Sequence, residues 1–502
     1  MTHRKLKLKF IVFIICCAGI SMFSQVQAQM VLTIEQALDI AEENNPSMRT
    51  QKLNLERTQF LLDAQLASLR PQFSLSINPF GYTQNRSFDN RFSEWYTSKT
   101  LSSNGTFRTE LPILFTDGTL ALTDRFGWQD SESVNQNGIN NNKAFSNNLS
   151  IRYDQPLFTY NSQRMAFDRL EYDFENAGIR YALQRLNTER SITNQFYTVY
   201  MAMNNLDISL EELNNAKINY DIMKAKVDAA LSAREELFQA EVNLASAESS
   251  VEQTRVRLEN AKDQLKQTLG MPLGDDITLE VPNIDVSPTL VDLGEALQQG
   301  LSARMELRQR EIDMALAEFS LIETKARDEF SGNLSLSIGI TGDDAKFGNM
   351  YDNPTSNPSV SVSFSIPIFD WGQRKARIQA SKTALTIAQL DYQDQKVDIE
   401  LNIRQTLRNL ANLATQIEIQ KKSVENTELT FALNNIRYAE GDLTGLQISQ
   451  YQAQLSNART SLIQARINYK IELLNLKILT LYDFETDQPI VTIRQLNKIT
   501  MR

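Results

Sequence analysis

What most limits the fold of this chain is that it is written twice. A short alternating segment ends in a Pro-aliphatic-Phe signal, and more than a hundred residues of helical pattern follow it. The first copy reads LSIRYDQPLF over 149–158, and the second reads VSVSFSIPIF over 360–369. An offset of 211 aligns Pro156 with Pro367, Phe158 with Phe369, Gln239 with Gln450, Leu244 with Leu455 and Ala247 with Ala458. Upstream, SLSI at 74–77 recurs at 335–338 with an offset of 261, so the first copy carries about 50 extra residues between its strand segments. A repeat of this size constrains the fold before any single residue does.

The N-terminus reads as a secretory leader. Arg4, Lys5, Lys7 and Lys9 precede an apolar run over 10–20, and Val26-Gln27-Ala28 forms a small-residue cleavage site. That run is shorter than the ~20 residues a spanning helix needs. Phe13, Ile14 and Ile15, ahead of Cys16 and Cys17, do not form a lipobox. Removing 1–28 removes both cysteines and the only histidine, His3. Thiol and imidazole chemistry is thereby excluded, with the metal sites built on those ligands. No isolated acidic pair stands in a distinctive context, so no enzyme, cofactor or metal is expected. Loss of four cationic residues takes the net charge from −10 to about −14, which argues against nucleic acid as partner. No later stretch reaches ~20 apolar residues, so any membrane insertion must be made by strands.

Each copy supplies two alternating segments. Phe73, Leu75 and Ile77 alternate with serines and Asn78; Leu149, Ile151 and Tyr153 alternate with Ser150, Arg152 and Asp154. In the second copy Leu334, Leu336, Ile338 and Ile340, then Val360, Val362, Phe364 and Ile366, alternate mainly with serines. An apolar face opposite a polar one suits barrel strands with a watery lumen, and also half-buried strands of a soluble sheet. Phe158, Tyr160, Phe369 and Trp371 gather where strand hands over to helix, as in an interfacial girdle or a packed junction. Four strands leave two open edges, which lipid does not tolerate, so other copies of the chain must complete the barrel. The segment 79–148 contains its own alternating stretch near 106–122 and an Asn-rich run around 135–142. It reads either as an external loop or as a further hairpin.

Between Met165 and Leu269 there is one glycine, Gly178, and no proline; between Gln373 and Phe484 only Gly441 and Gly445 interrupt. At 1.5 Å per residue, 374–440 would make a helix of roughly 100 Å, too long for a globular core to bury. Heptad-like apolar spacing with many alanines suits coiled-coil packing. Turns are expected near 227–233 and 438–446, so each copy folds as a helical hairpin.

LTIEQALDIAEENNPSMRTQKL near the N-terminus, the paired Pro-aliphatic-Phe signals, the tip YAEGDLTG and QAQLSNARTSLIQARINYKIELLNLK over 452–477 resemble the TolC family of outer-membrane efflux proteins. The resemblance covers nearly all of the mature chain. It implies a mixed, mainly α fold of two tandem repeats, with four membrane β-barrel strands per chain. Three chains would build one twelve-stranded barrel, continued by the coiled-coil helices as an α-helical tunnel. The corresponding organisation is a signal peptide (1–28), repeat 1 (29–270), a linker (271–290), repeat 2 (291–483) and a C-terminal equatorial tail (484–502).

In that family acidic side chains six and nine residues after the tip glycine narrow the tunnel's periplasmic end. Counted from Gly441, those positions hold Gln447 and Gln450. Tyr438 matches the family's tip tyrosine and Glu236 the acidic residue of the first tip, whereas the basic partner position holds Leu443. The first-repeat counterpart of Gly441 is Ala230. A Tyr438–Glu236 latch and adaptor contacts at Ala230 and Gly441 are therefore expected, and an Arg-based latch is not.

The function implied is a passive outer-membrane exit duct of a Gram-negative bacterium, extending into the periplasm. It would be a homotrimer in outer-membrane lipid, opened at its tip by a periplasmic adaptor (membrane fusion) protein and an inner-membrane RND or ABC transporter. The alternatives are the outer-membrane component of type I protein secretion and a non-conducting trimeric stalk.

Overall fold

The computed structural model describes residues 30–90, 93–135, 138–280 and 291–490. The leader, the second half of the linker (281–290) and the end of the tail (491–502) lie outside the described residues.

Strand β1 (Met30–Leu32) leads into helices α1 (Ile34–Asn44) and α2 (Pro46–Ser68). Four long strands follow: β2 (Gln72–Asp89), β3 (Glu94–Ile113), β4 (Gly118–Asn135) and β5 (Gly138–Leu157). Next come α3 (Ser162–Asp228), α4 (Arg234–Leu269) and the short β6 (Ile277–Leu279). The second half runs α5 (Leu293–Ala303), α6 (Met305–Ala326), β7 (Ser331–Asp344), β8 (Thr355–Ser356) and β9 (Ser359–Ser365). It ends with α7 (Gln373–Glu440), α8 (Gly445–Thr480), β10 (Tyr482–Asp483) and β11 (Gln488–Pro489). Helices α3 and α7 are 67 and 68 residues long, in keeping with runs that lack proline and hold only Gly178 between them. No described helix is long and apolar enough to cross a membrane.

Packing divides the described chain into two units. One holds the residues up to Thr50 with Leu183–Gly300 and Leu401–Ile490; the other holds Gln51–Ala182 and Leu301–Glu400. In the first unit β1 pairs in parallel with β6, Met30 opposite Ile277. A Thr33–Gln36 capping box starts α1 by satisfying two otherwise unpaired amides. That helix presses Ala37 and Ala41 onto Ile192, Phe196, Leu258 and Leu265, all buried. Alanine at these positions lets helix axes approach closely.

The second unit contains one antiparallel sheet in the order β2-β3-β4-β5-β7, with β8 and β9 both on the far side of β7. The expected count of four strands is therefore corrected: the inserted segment adds β3 and β4 as a full hairpin between β2 and β5. Its physical basis is period-two alternation that runs through the insertion. Leu75 pairs with Phe107, Phe107 with Asp124, and Asp124 with Leu149. Opposed residues share a face, so Leu120, Leu122, Phe126 and Trp128 extend the apolar surface of Phe73, Ile77, Ile151 and Ile338. That surface is open; Phe73 is 71% and Ile77 65% exposed. The Asn-rich run is partly strand, since Asn140–Asn142 pair with Ser131–Ser133.

The opposite face is polar. Arg108 pairs with Glu110 at 2.8 Å, Arg152 with Asp154 at 3.4 Å, and Arg152 Nε donates to Ser335 Oγ at 3.2 Å. The loop after β7 is not a bare tip: its 3₁₀ turn (Phe347–Tyr351) sets Phe347 against Phe126 and Phe145, ring centroids 5.6 and 5.8 Å apart. Gly342 makes this possible, because a Cβ there would lie 2.0 Å from the Met350 carbonyl oxygen. At the other end of the strands Phe158, Phe330 and Phe364 form an aromatic cluster with centroids 5.2–6.4 Å apart, and Phe369 stands edge-on to Trp371 at 4.7 Å.

Between Leu120 and Trp128 the apolar face carries one charged residue, Asp124, to which Asn147 Nδ2 donates at 2.8 Å. Replacing Asn147 by Leu strands that carboxylate and should cost about 1–3 kcal/mol of unfolding free energy. The double substitution Asp124→Leu/Asn147→Leu should recover most of it. Denaturant unfolding in detergent of the parent, Asp124→Leu, Asn147→Leu and the double variant measures the coupling.

Candidate functional site

The residues singled out in the sequence converge on the two helix turns of the first unit. Helix α3 ends in a turn in which Ala230 N–H donates to Val227 O (3.0 Å) and Leu231 N–H to Lys226 O (2.8 Å). Helix α7 ends the same way 211 residues later: Gly441 N–H donates to Tyr438 O (3.1 Å) and Asp442 N–H to Arg437 O (2.9 Å). This is the Schellman arrangement, which satisfies the last helical carbonyls by putting one residue into the left-handed region. Gly441 adopts φ +95° at no steric cost, while Ala230 adopts φ +54° against its Cβ.

Tyr438 is 1% exposed and packs with Met223, Ala240 and Ile448, flanked by Tyr220 and Leu443. Leu443 thus fills with hydrocarbon the position where the family's basic partner would stand. Lys226 supplies the cation instead. Its Nζ donates to Tyr438 O at 3.1 Å and lies 5.4 Å from the Tyr438 ring centre, tying the first turn to the second. The repeat register offered one signal for this residue: Lys226 is the 211-offset counterpart of Arg437.

Glu236 lies exposed at the first turn, its carboxylate accepting from the Ser232 hydroxyl. It is close enough for its charge to act on Tyr438. Burial raises the Tyr438 phenol above its usual range and the Glu236 charge adds to the shift. Gln447 forms a capping box with Thr444: Gln447 N–H donates to Thr444 Oγ1 (3.4 Å), and Thr444 N–H donates to Gln447 Oε1 (2.9 Å). Gln450, one turn on, is exposed.

Above the turns a cavity of about 290 Å³ is lined by Tyr438, Asn243, Ser449 and the pair Asn215–Gln452, in which Asn215 Nδ2 donates to Gln452 Oε1 at 2.8 Å. Arg459 braces the same helices, reaching Glu211 at 2.7 Å and Glu428 at 2.9 Å. No group of His, Cys, Asp and Glu among the described residues is arranged to hold a metal ion. The site is a packed, hydrogen-bonded helix junction.

The solved structures that this fold superposes on include outer-membrane channels. Residues 296–480 match the family described as Outer membrane efflux protein. The outer membrane protein TolC of Escherichia coli (strain K12) is 23% identical over 357 residues, 68% of this chain and 70% of that protein. The probable outer membrane lipoprotein SilC of Salmonella typhimurium is 18% identical, over 65% of this chain and 70% of its own length. Among solved structures, the Campylobacter jejuni CmeC outer membrane channel superposes with a TM-score of 0.69 at 16% identity, covering 93% of this chain and 89% of that one. The chain is thus similar to TolC-like outer-membrane efflux proteins, with residues 296–480 carrying that family's pattern, and its location is the outer membrane.

Two outcomes follow for the tip. Ala230→Gly relieves a left-handed alanine and should stabilise the unit by about 1 kcal/mol, whereas Gly441→Ala should cost a similar amount; thermal unfolding reads both. Folding raises the Tyr438 pKa, so its contribution is complete below about pH 10, the unfolded phenol's value, and is lost as pH rises through the folded value. Unfolding free energy should therefore fall as pH rises above about 10 in the parent chain, and Tyr438→Phe should remove that part of the fall.

Proposed function

We propose that three copies of this chain close into a passive exit duct, opened at the helix tips when a periplasmic adaptor and an inner-membrane transporter dock there. The observation that carries this reading is the sheet. One face is apolar and uncovered, the other is lined by serines, amides and paired charges, and among the described residues neither β2 nor β9 has a partner on its outer side. A sheet of that kind in lipid must continue into a neighbour. The helices ask for neighbours too: Leu53 and Phe60 on α2, and Ile387, Leu390, Val397 and Leu401 on α7, are all more than half exposed. Repeating such stripes around a threefold axis buries them.

The duct does no chemistry; the transporter supplies the energy. Ala230 and Gly441, with minimal side chains at the turns, leave room for adaptor side chains. The Lys226–Tyr438 tie is a contact that docking would have to rearrange. Gln447 and Gln450 replace the acidic pairs that narrow the family's aperture, leaving a ring with up to six fewer negative charges and weaker cation selectivity.

Crosslinking of the tagged protein in intact cells, with partners identified by mass spectrometry, tests the assembly. An adaptor with an RND pump supports small-molecule efflux, and an ABC transporter supports protein secretion. An abundant trimer with neither favours the stalk. In planar bilayers Gln447→Glu/Gln450→Glu should raise cation-over-anion permeability several-fold and introduce block by millimolar divalent cations. Glutamate also satisfies the capping-box position, so the fold should be retained.

A further inference from the structure

We propose that β3 and β4 are part of the membrane wall, so that the ring closed by three copies has eighteen strands instead of twelve. The inference rests on the trimeric reading above.

Three observations carry it. First, the insertion is a component of the sheet, not an appendage. β3 is hydrogen-bonded to β2 along Gln72–Asp89, broken only by a bulge between Asn78 and Gly81, and to β4 from Thr97 to Ile113. β4 is paired with β5 along its whole length. β2 and β5, the flanking strands of the first repeat, are thereby held two strands apart.

Second, the two faces of the hairpin agree with those of the strands beside it. Phe107, Leu120, Leu122 and Phe126 share a face with Leu75, Leu149 and Ile151; Arg108, Thr123 and Arg125 share the other with Ser74, Ser150 and Asn148. A hairpin folded back into the lumen or projecting into water would gain nothing from an apolar surface in register with a lipid-compatible one. Lys99 pairs with Glu132 (3.2 Å) and Lys143 with Asp130 (3.0 Å) beyond the Trp128–Phe145 level, so this face turns ionic where an apolar band would end. From Leu120 to Trp128 the band spans nine residues, which at strand rise and a tilt near 40° is about 21–23 Å, close to the ~25 Å of an outer-membrane hydrophobic belt.

Third, the free edges are β2 on one side and β9 with β8 on the other. Their outward N–H and C=O groups have no water to bond in a bilayer, so the edge of one copy must pair with the opposite edge of the next. Three sheets of six strands then close the ring.

Barrel diameter grows roughly linearly with strand number, and sixteen to eighteen strands leave an aqueous bore. With 4.7–4.9 Å between strands and a tilt near 40°, the backbone radius rises from about 12 Å for twelve strands to about 18 Å for eighteen. Arg125 projects from the polar face, exposed and without a hydrogen bond or ion pair among the described residues, which makes it the natural reporter of that bore.

Cryo-electron microscopy of the full-length protein in lipid nanodiscs tests the proposal by counting strands. Eighteen strands in a threefold ring, with 94–135 in the wall, are expected. A twelve-stranded ring with 94–135 outside it overturns the inference and leaves the duct reading standing. Absence of any closed threefold ring overturns both. Independently, Arg125→Cys, labelled from outside intact cells with maleimide-polyethylene glycols of increasing mass, should react with polymers about one and a half times wider than a twelve-stranded bore admits. A cut-off at the narrower size overturns the inference.

Discussion

Unpaired backbone groups at the two sheet edges are the constraint on which the rest of this structure depends. Each sheet residue carries a donor and an acceptor that the strand's own side chains cannot satisfy. Along β2 and β9 these groups point away from the sheet, next to an uncovered face bearing Phe73, Leu75, Ile77, Val360, Val362 and Phe364. In water such an edge is a liability; in lipid it is untenable, and closure with further copies removes it. The exposed apolar stripes on α2 and α7 make the same demand through hydrophobic burial instead of hydrogen bonding.

The helix turns show how one geometry can rest on different side chains. Both end in the same hydrogen-bond pattern 211 residues apart, yet one uses glycine and the other a left-handed alanine. At the second turn Leu443 joins the packing around Tyr438, and a lysine from the first turn brings the cation to the Tyr438 carbonyl. Because the tie is made to a backbone carbonyl and to the face of a ring, the partner residue need not be acidic. That frees Glu236 to act on Tyr438 only through its charge.

Much of the architecture was legible because it rests on periodicity. Long runs without proline and almost without glycine, punctuated near Ala230 and Gly441, located the helical hairpins. Alternation around Ile77, Ile151, Ile338 and Val362 located strands and assigned their faces. The insertion was harder to read. Its alternating stretch over 106–122 is cut by the turn before Gly118, and asparagines, poor strand formers, continue through Asn140–Asn142. Only pairing with β2 and β5 makes those residues strand. The tip was half legible: the positions of Tyr438 and Gly441 followed from the resemblance, but the repeat register, which pairs Lys226 with Arg437, could not say that Lys226 reaches Tyr438, 212 residues away.

The sequence by itself determined the repeat, the helix lengths, the sidedness of each strand and the amides at Gln447 and Gln450, since all are properties of local spacing or of residue identity. Tertiary structure alone decided that the sheet has six principal strands instead of four, that Gln447 is tied back to Thr444, and that Lys226 binds one turn to the other. Each of these depends on which backbone groups face one another in space, and that follows from chain topology, not from the order of residues along any one segment.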